Sequence, residues 1–128
     1  MNTFISLAFL AASLINLAPM VGLRPDQLSR LYGVQIADAD VQLLMQHRAL
    51  LFGIVGGWLL AAVFVPSLRT AAAAAGLVSM GGFVVQSWLS GTSNPLLLRI
   101  AWIDCAAFVL LLTGAAMHLF VAASSTEA

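Results

Sequence analysis

A single acid, Asp104, sits inside the apolar run "RIAWIDCAAFVLLL", and a Gln46-His47-Arg48 triplet leads straight into "ALLFGIVGG". An ionisable residue in such surroundings is costly in a bilayer and marks a functional site with a nameable partner. The chemistry open to these types is narrow. Asp104 could serve as an acid or base toward a hydrophobic substrate, with His47 or Arg48 assisting. It could hold the polar group of a hydrophobic ligand. It could also pair with Arg48 and only fix helix register, or stay water-exposed without a partner. His47 is the second partner for Asp104, and its imidazole either shuttles protons or is simply solvated. Arg99 lies five residues from Asp104 on another helix face and should snorkel to the headgroups. Asn16 and Gln86 add neutral groups of the kind that hydrogen-bond between helices. His118 is about 21 Å from Asp104 along a helix axis. One cysteine and two distant histidines give no metal-ligand spacing, and no cofactor is implied.

These groups need elements to position them. The 128 residues are 62% hydrophobic and 8% charged, with no lysine and a formal net charge of zero. Soluble domains run near 45–50% apolar and about 25% charged. The composition is that of one integral membrane domain whose first partner is the lipid bilayer. Nothing supplies the basic face a nucleic-acid partner would need. Cys105 alone excludes an internal disulfide.

Apolar stretches of about 20 residues can cross a bilayer. Here they predict spans near residues 3–22, 41–65, 69–90 and 95–121. The fold expected is all-α, a four-transmembrane-helix bundle with a short interfacial helix between helices 1 and 2. The first run has no charged start and no clear cleavage site, so it reads as a retained helix rather than a signal peptide. Asp38 or Asp40 can cap the second helix, and Asn94 with Pro95 the fourth. Pro66 should stop the second helix. Pro25 can start the short helix and Gly33 end it, with Leu28, Leu31 and Tyr32 on one face. The tail "AASSTEA" should fray.

Helices in lipid associate through small side chains. Ala49, Gly53, Gly57 and Ala61 recur at steps of four in the second helix, with Gln42 and Gln46 near the same line. Ala71, Ala75, Ser79, Gly82 and Gln86 share a face of the third. These stripes should meet each other or a neighbouring helix within the bundle, or else form the seam of a homo-oligomer.

Counted from the helix ends, Asn16 and Gln86 lie about 6 Å inside the bundle, Arg48 about 12 Å and Asp104 about 13 Å. The longer helices overhang the hydrocarbon, so all four residues approach one level on the first-loop side, where Gln46 and His47 complete the candidate polar cluster. That side also holds Tyr32, Trp88 and Trp102 as an aromatic belt, with Trp58 toward the other side. It carries Arg24, Arg30, Arg48 and Arg99 against Arg69 opposite, which favours a cytoplasmic first loop.

The segments "INLAPMVGL", "RLYGVQIADAD" and "LLMQHRALLFGIVGG" carry a resemblance. The chain resembles a set of small bacterial four-helix membrane proteins without an assigned activity, loosely similar to DoxX-like proteins. The resemblance implies a bacterial inner-membrane location and supplies no catalytic residues. Relatives of this type sometimes bear a phosphopantetheine adenylyltransferase label. That label does not fit: such enzymes are soluble α/β proteins, and this chain has neither their His-x-Gly-His signature nor a Gly-rich phosphate loop.

Three functions fit the residues. The leading one is binding of a lipid-like or quinone-like small molecule, or of a partner subunit, in an apolar site with a few polar groups. The others are a membrane enzyme using Asp104, and a structural scaffold. Transport fits least, because no inverted repeat or broken helix appears.

Overall fold

Caps, prolines and glycines decide where each helix of this chain begins and ends. The computed structural model describes residues 2–34 and 37–126, which are all-helical apart from short connections. Helix α1 covers Asn2–Leu17. Pro19 has no N–H to continue the ladder, and Ala18–Leu23 tightens into a 3-10 turn. The α-helix therefore ends before the expected residue 22. Helix α2, Pro25–Tyr32, stops at Gly33, whose φ of 64° suits glycine. The Leu28 side chain, expected on its apolar face, lies outside the described residues.

Helix α3 covers Ala39–Phe64. Of the two candidate caps, Asp38 does the capping: its Oδ1 accepts from the N–H groups of Asp40 (2.8 Å) and Val41 (3.1 Å). Pro66 holds Val65 extended, and the 3-10 turn Pro66–Leu68 leads into α4, Arg69–Leu89. Helix α5, Pro95–Thr126, opens on Asn94, whose Oδ1 accepts from Leu96 N–H at 3.0 Å. The helix persists through Thr126 where fraying was expected; Glu127 lies outside the described residues.

Among the described residues, four stretches are long and apolar enough to cross a membrane: Asn2–Leu23, Ala39–Phe64, Pro66–Leu89 and Pro95–Ser124. The chain has the helical-bundle architecture of a multi-pass membrane protein. Around the bundle the order is α1, α3, α4, α5, with α1 and α4 on the diagonal. Ile5, Phe9, Leu59, Met80 and Leu111 fill the centre, while Trp88 and Trp102 are exposed on the outside.

Glycines set the closest approaches. A Cβ built on Gly56 would meet Leu17 Cγ at 2.8 Å, and one on Gly53 would meet Met20 Sδ at 2.6 Å. They mark where α3 packs against the end of α1 and the 3-10 turn that follows it. The expected small-residue stripes are only partly used. Ala49 is buried and Gly53 is in contact, but Gly57 is exposed with nothing within 4 Å, and Ala61 is half-buried. The reason is helical geometry: steps of four drift about 40° per step on a 3.6-residue helix. A stripe that starts on the packed face has left it two steps later. In α4 the buried positions are Arg69, Ala72, Ala73, Gly76, Met80 and Ser87, while Ala71 and Gly82 are exposed. Ser79 does meet a neighbour, donating to Asn16 Oδ1 on α1 at 3.0 Å.

Candidate functional site

Asp104 is set by the core of α5. Ala101, Ala107 and Leu111 on the same helix are buried, and Asp104, three residues beyond Ala101, turns inward with them. The residue is 9% exposed. Among the described residues its carboxylate has no hydrogen-bond or ion-pair partner. It is not sealed off either, because it opens onto a cavity of about 190 Å³.

Every helix contributes to that cavity. Its wall includes Asn16 from α1, Tyr32 from α2, Arg48 and Phe52 from α3, Phe83 from α4 and Asp104 from α5. The rest is aliphatic, with Ile15, Ile100 and Ile103 prominent. Arg48 is held by stacking. Its guanidinium carbon lies 5.2 Å from the centroid of Phe52, one turn away on α3, and 5.1 Å from that of Phe83 on α4. Such cation–π contacts contribute roughly 0.5–2 kcal/mol, more when desolvated. Arg48 and Asp104 therefore share one cavity without touching, and the direct pair that would fix register is not formed among the described residues.

Arg48 and Phe83 also border two further spaces. One, of about 260 Å³, lies toward the loops with Gln86, Ser90 and Thr92. The other, of about 360 Å³, lies between α3 and α4 with Val78, Ser79 and Gly82.

The four residues expected at one depth thus gather here in part. Asn16, Arg48 and Asp104 line the central cavity, and Gln86 lines both adjoining spaces. Asn16 has its own partners: Nδ2 donates to Ala12 O at 3.0 Å, and Oδ1 accepts from Ser79. Two candidates fall elsewhere. Gln46 donates from Nε2 to Leu23 O at 3.0 Å, tying α3 to the turn after α1. His47 is exposed and lines none of the three spaces, because one residue along α3 rotates it about 100° from Arg48. Arg99 is exposed, as its helix face predicts.

Tyr32 departs from expectation. It is 5% exposed and forms part of the cavity wall, not the outer belt. Asn94 Nδ2 donates to Tyr32 O at 2.9 Å, which draws the end of α2 over the start of α5. Burial holds the Tyr32 phenol above its ordinary value of 10; the Arg48 charge opposes this and Asp104 adds to it.

Sequence reasoning missed Phe52 and Phe83. Phe52 was within reach, since a cation four residues before an aromatic ring is a recognisable helix pair. Phe83 depends on the register of α4 against α3, which no local pattern encodes. At the far end Arg69 is a further surprise, only 6% exposed. It donates from Nε to Ala62 O (3.2 Å) and from Nη2 to Ser6 Oγ (3.2 Å) and Val63 O (3.4 Å), placing its charge on the negative end of α3.

The site offers an acceptor at Asp104, donors at Arg48, a phenol at Tyr32 and two flat rings around a small apolar space. No family model, curated protein or solved structure matches the chain.

Proposed function

We propose that this protein is a bacterial membrane protein that binds a lipid-soluble small molecule, with its polar head in the Asp104–Arg48 cavity. The observation that carries the reading is the carboxylate of Asp104, nine-tenths buried, without a partner, and facing open space. Its oxygens are not sealed in the protein, so a group in the cavity can reach them. A ligand hydroxyl would donate to the carboxylate, and Arg48 would donate to a carbonyl on the same ligand. Phe52 and Phe83 favour a flat ring. At about 190 Å³ the cavity is smaller than the roughly 300–1,000 Å³ of sites that enclose a whole drug-sized ligand. It suits a single-ring head such as a quinone or quinol, with the remainder lying outside. In this arrangement α2 lies at the membrane surface as the roof of the cavity. The first loop faces the cytoplasm, in line with Arg24, Arg30 and Arg99 on that side and with Arg69 engaged as a helix cap.

The second reading, an enzyme with Asp104 as acid or base, draws on the same unpartnered carboxylate. Tyr32 is then a better assistant than His47, which faces away. The two differ in outcome: a binder saturates without conversion. The test is a titration of the protein in nanodiscs with a short-tailed benzoquinone and its quinol, followed by tryptophan fluorescence. Saturable binding that Asp104→Asn weakens supports the proposal. Conversion of the probe favours the enzyme. Absence of saturable binding of either form, together with no copurifying small molecule by mass spectrometry, overturns both.

A further inference from the structure

We infer that the cavity is reached sideways from the bilayer, through a cleft between α3 and α4 that the Phe52–Arg48–Phe83 stack closes. The inference rests on the reading that a membrane-borne ligand occupies the cavity.

Helices α3 and α4 form the two sides of this cleft. They are joined by the tight turn Pro66–Leu68, and at Gly76 they are still in contact, where an added Cβ would stand 3.1 Å from Leu59 Cδ1. Six residues further along α4, about 9 Å, Gly82 borders an open space that Arg48 and Phe52 of α3 also line. A Cβ on Gly82 would meet nothing within 4 Å. The gap between the helices at this level is the space of about 360 Å³. Gly82 is eight residues before Ser90, so the gap lies about 12 Å below the end of α4, at hydrocarbon depth.

This space and the Asp104 cavity share three residues: Arg48, Phe52 and Phe83. The stack is therefore the partition between the lipid side and the site. No hydrogen bond among the described residues joins α3 to α4 at this level. The bonds that join them, from Arg69 to Ala62 and Val63, lie at the other end. The loop-side space of about 260 Å³ also borders the cavity, through Tyr32, Arg48 and Phe83, but hydrogen bonds fasten the elements on that side. Asn94 ties α2 to the start of α5, and Gln46 ties α3 to the turn after α1. Moving the Arg48 side chain opens the cleft without breaking a backbone contact, whereas opening the roof requires lifting α2. The occupant of the cleft is a bilayer amphiphile, whose head can exchange its contact with Gln86 and Ser79 in the cleft for Arg48 and Asp104 inside.

Gly82 provides a plug that the fold should tolerate. Gly82→Phe fills the cleft, and Gly57→Phe places the same ring on an exposed position of α3 that also has nothing within 4 Å. Melting temperature and helical content verify that both variants fold. Two measurements in nanodiscs then decide. In stopped-flow mixing with the short-tailed benzoquinone, Gly82→Phe should slow association about tenfold while Gly57→Phe leaves it unchanged. The second measurement needs no ligand. Ile15→Cys, in a Cys105→Ala background, puts a thiol on the cavity wall, and its alkylation by N-ethylmaleimide should fall by a similar factor when Gly82→Phe is added. If the wild type binds no benzoquinone, the binding proposal fails and the alkylation rates alone judge the cleft. Alkylation that Gly82→Phe leaves unchanged, or that a Thr92→Phe plug on the loop side slows instead, overturns the lateral route.

Discussion

Arg48 and Asp104 look onto the same cavity from α3 and α5, yet Arg48 stacks on two phenyl rings and the Asp104 carboxylate has no hydrogen-bond or ion-pair partner among the described residues. In a scaffold, opposite charges at one depth would close into a pair. The space left between them is the physical ground for the proposed ligand site.

The first prediction follows from that separation. Asp104→Asn breaks no existing bond, so thermal stability in detergent should hold or rise slightly. Affinity for a hydroxyl-bearing probe should fall, since hydrogen bonds to charged groups contribute about 1.5–3 kcal/mol. If Asp104→Asn lowers the melting temperature and Arg48→Gln restores it, the two charges act as a register pair after all.

Replacing Arg48 tests the stack. Arg48→Lys keeps the charge but loses the planar group that lies over two rings, and stability should drop by roughly 0.5–2 kcal/mol. Phe83→Leu should cost a comparable amount, and the double variant less than the sum, as measured by a thermal double-mutant cycle. Strict additivity would mean that Arg48 and Phe83 do not interact.

Tyr32 reports on the cavity because it is the only tyrosine in the chain. Its phenol is held above 10, mainly by burial, so the folded state keeps the proton at pH values where the unfolded chain has lost it. Its contribution to stability is intact below about pH 10. It is lost as the pH rises beyond that value, where the unfolded state releases its proton first. Phenolate absorbance should show a midpoint above 10 in the native protein, moving back toward 10 in denaturant. Asp104→Asn should lower the native midpoint and Arg48→Gln should raise it. Insensitivity to both changes would place Tyr32 outside their electrostatic reach.

How much of this was legible beforehand varies with the range of the interaction. Helix ends were readable because they depend on nearby residues: Asp38, Gly33, Pro66 and Asn94 all act within a turn of the backbone they control. Depth was readable from counting, which brought Asn16, Arg48 and Asp104 to one level. Azimuth was not. Which way His47 or Gly57 points relative to a neighbour depends on helix rotation, and helices that are apolar all round carry little amphipathic signal to fix it. Tyr32 was misjudged for a related reason, because its place in the cavity wall is set by long-range packing, with a bond from Asn94 to its backbone carbonyl.

Two adjacent glycines turn that lesson into a test of the packing. At Gly56 a methyl group would stand 2.8 Å from Leu17 Cγ and 3.0 Å from the Leu17 backbone nitrogen. The backbone cannot move aside without separating α1 from α3. Ser13 Oγ also donates to Gly56 O at 2.8 Å, so the same separation stretches a buried bond. Overpacking of this kind costs typically about 1–3 kcal/mol, and Gly56→Ala should lower the melting temperature accordingly. At Gly57 the same methyl meets open space, and the gain in helix propensity over glycine, up to about 1 kcal/mol, goes unopposed. Gly57→Ala should therefore leave stability unchanged or raise it. Opposite signs at neighbouring positions fix the rotation of α3 against α1. If Gly57→Ala destabilises as much as Gly56→Ala, then Gly57 contacts another surface, such as a second copy of the chain, and the contact face of α3 is wider than a single bundle requires.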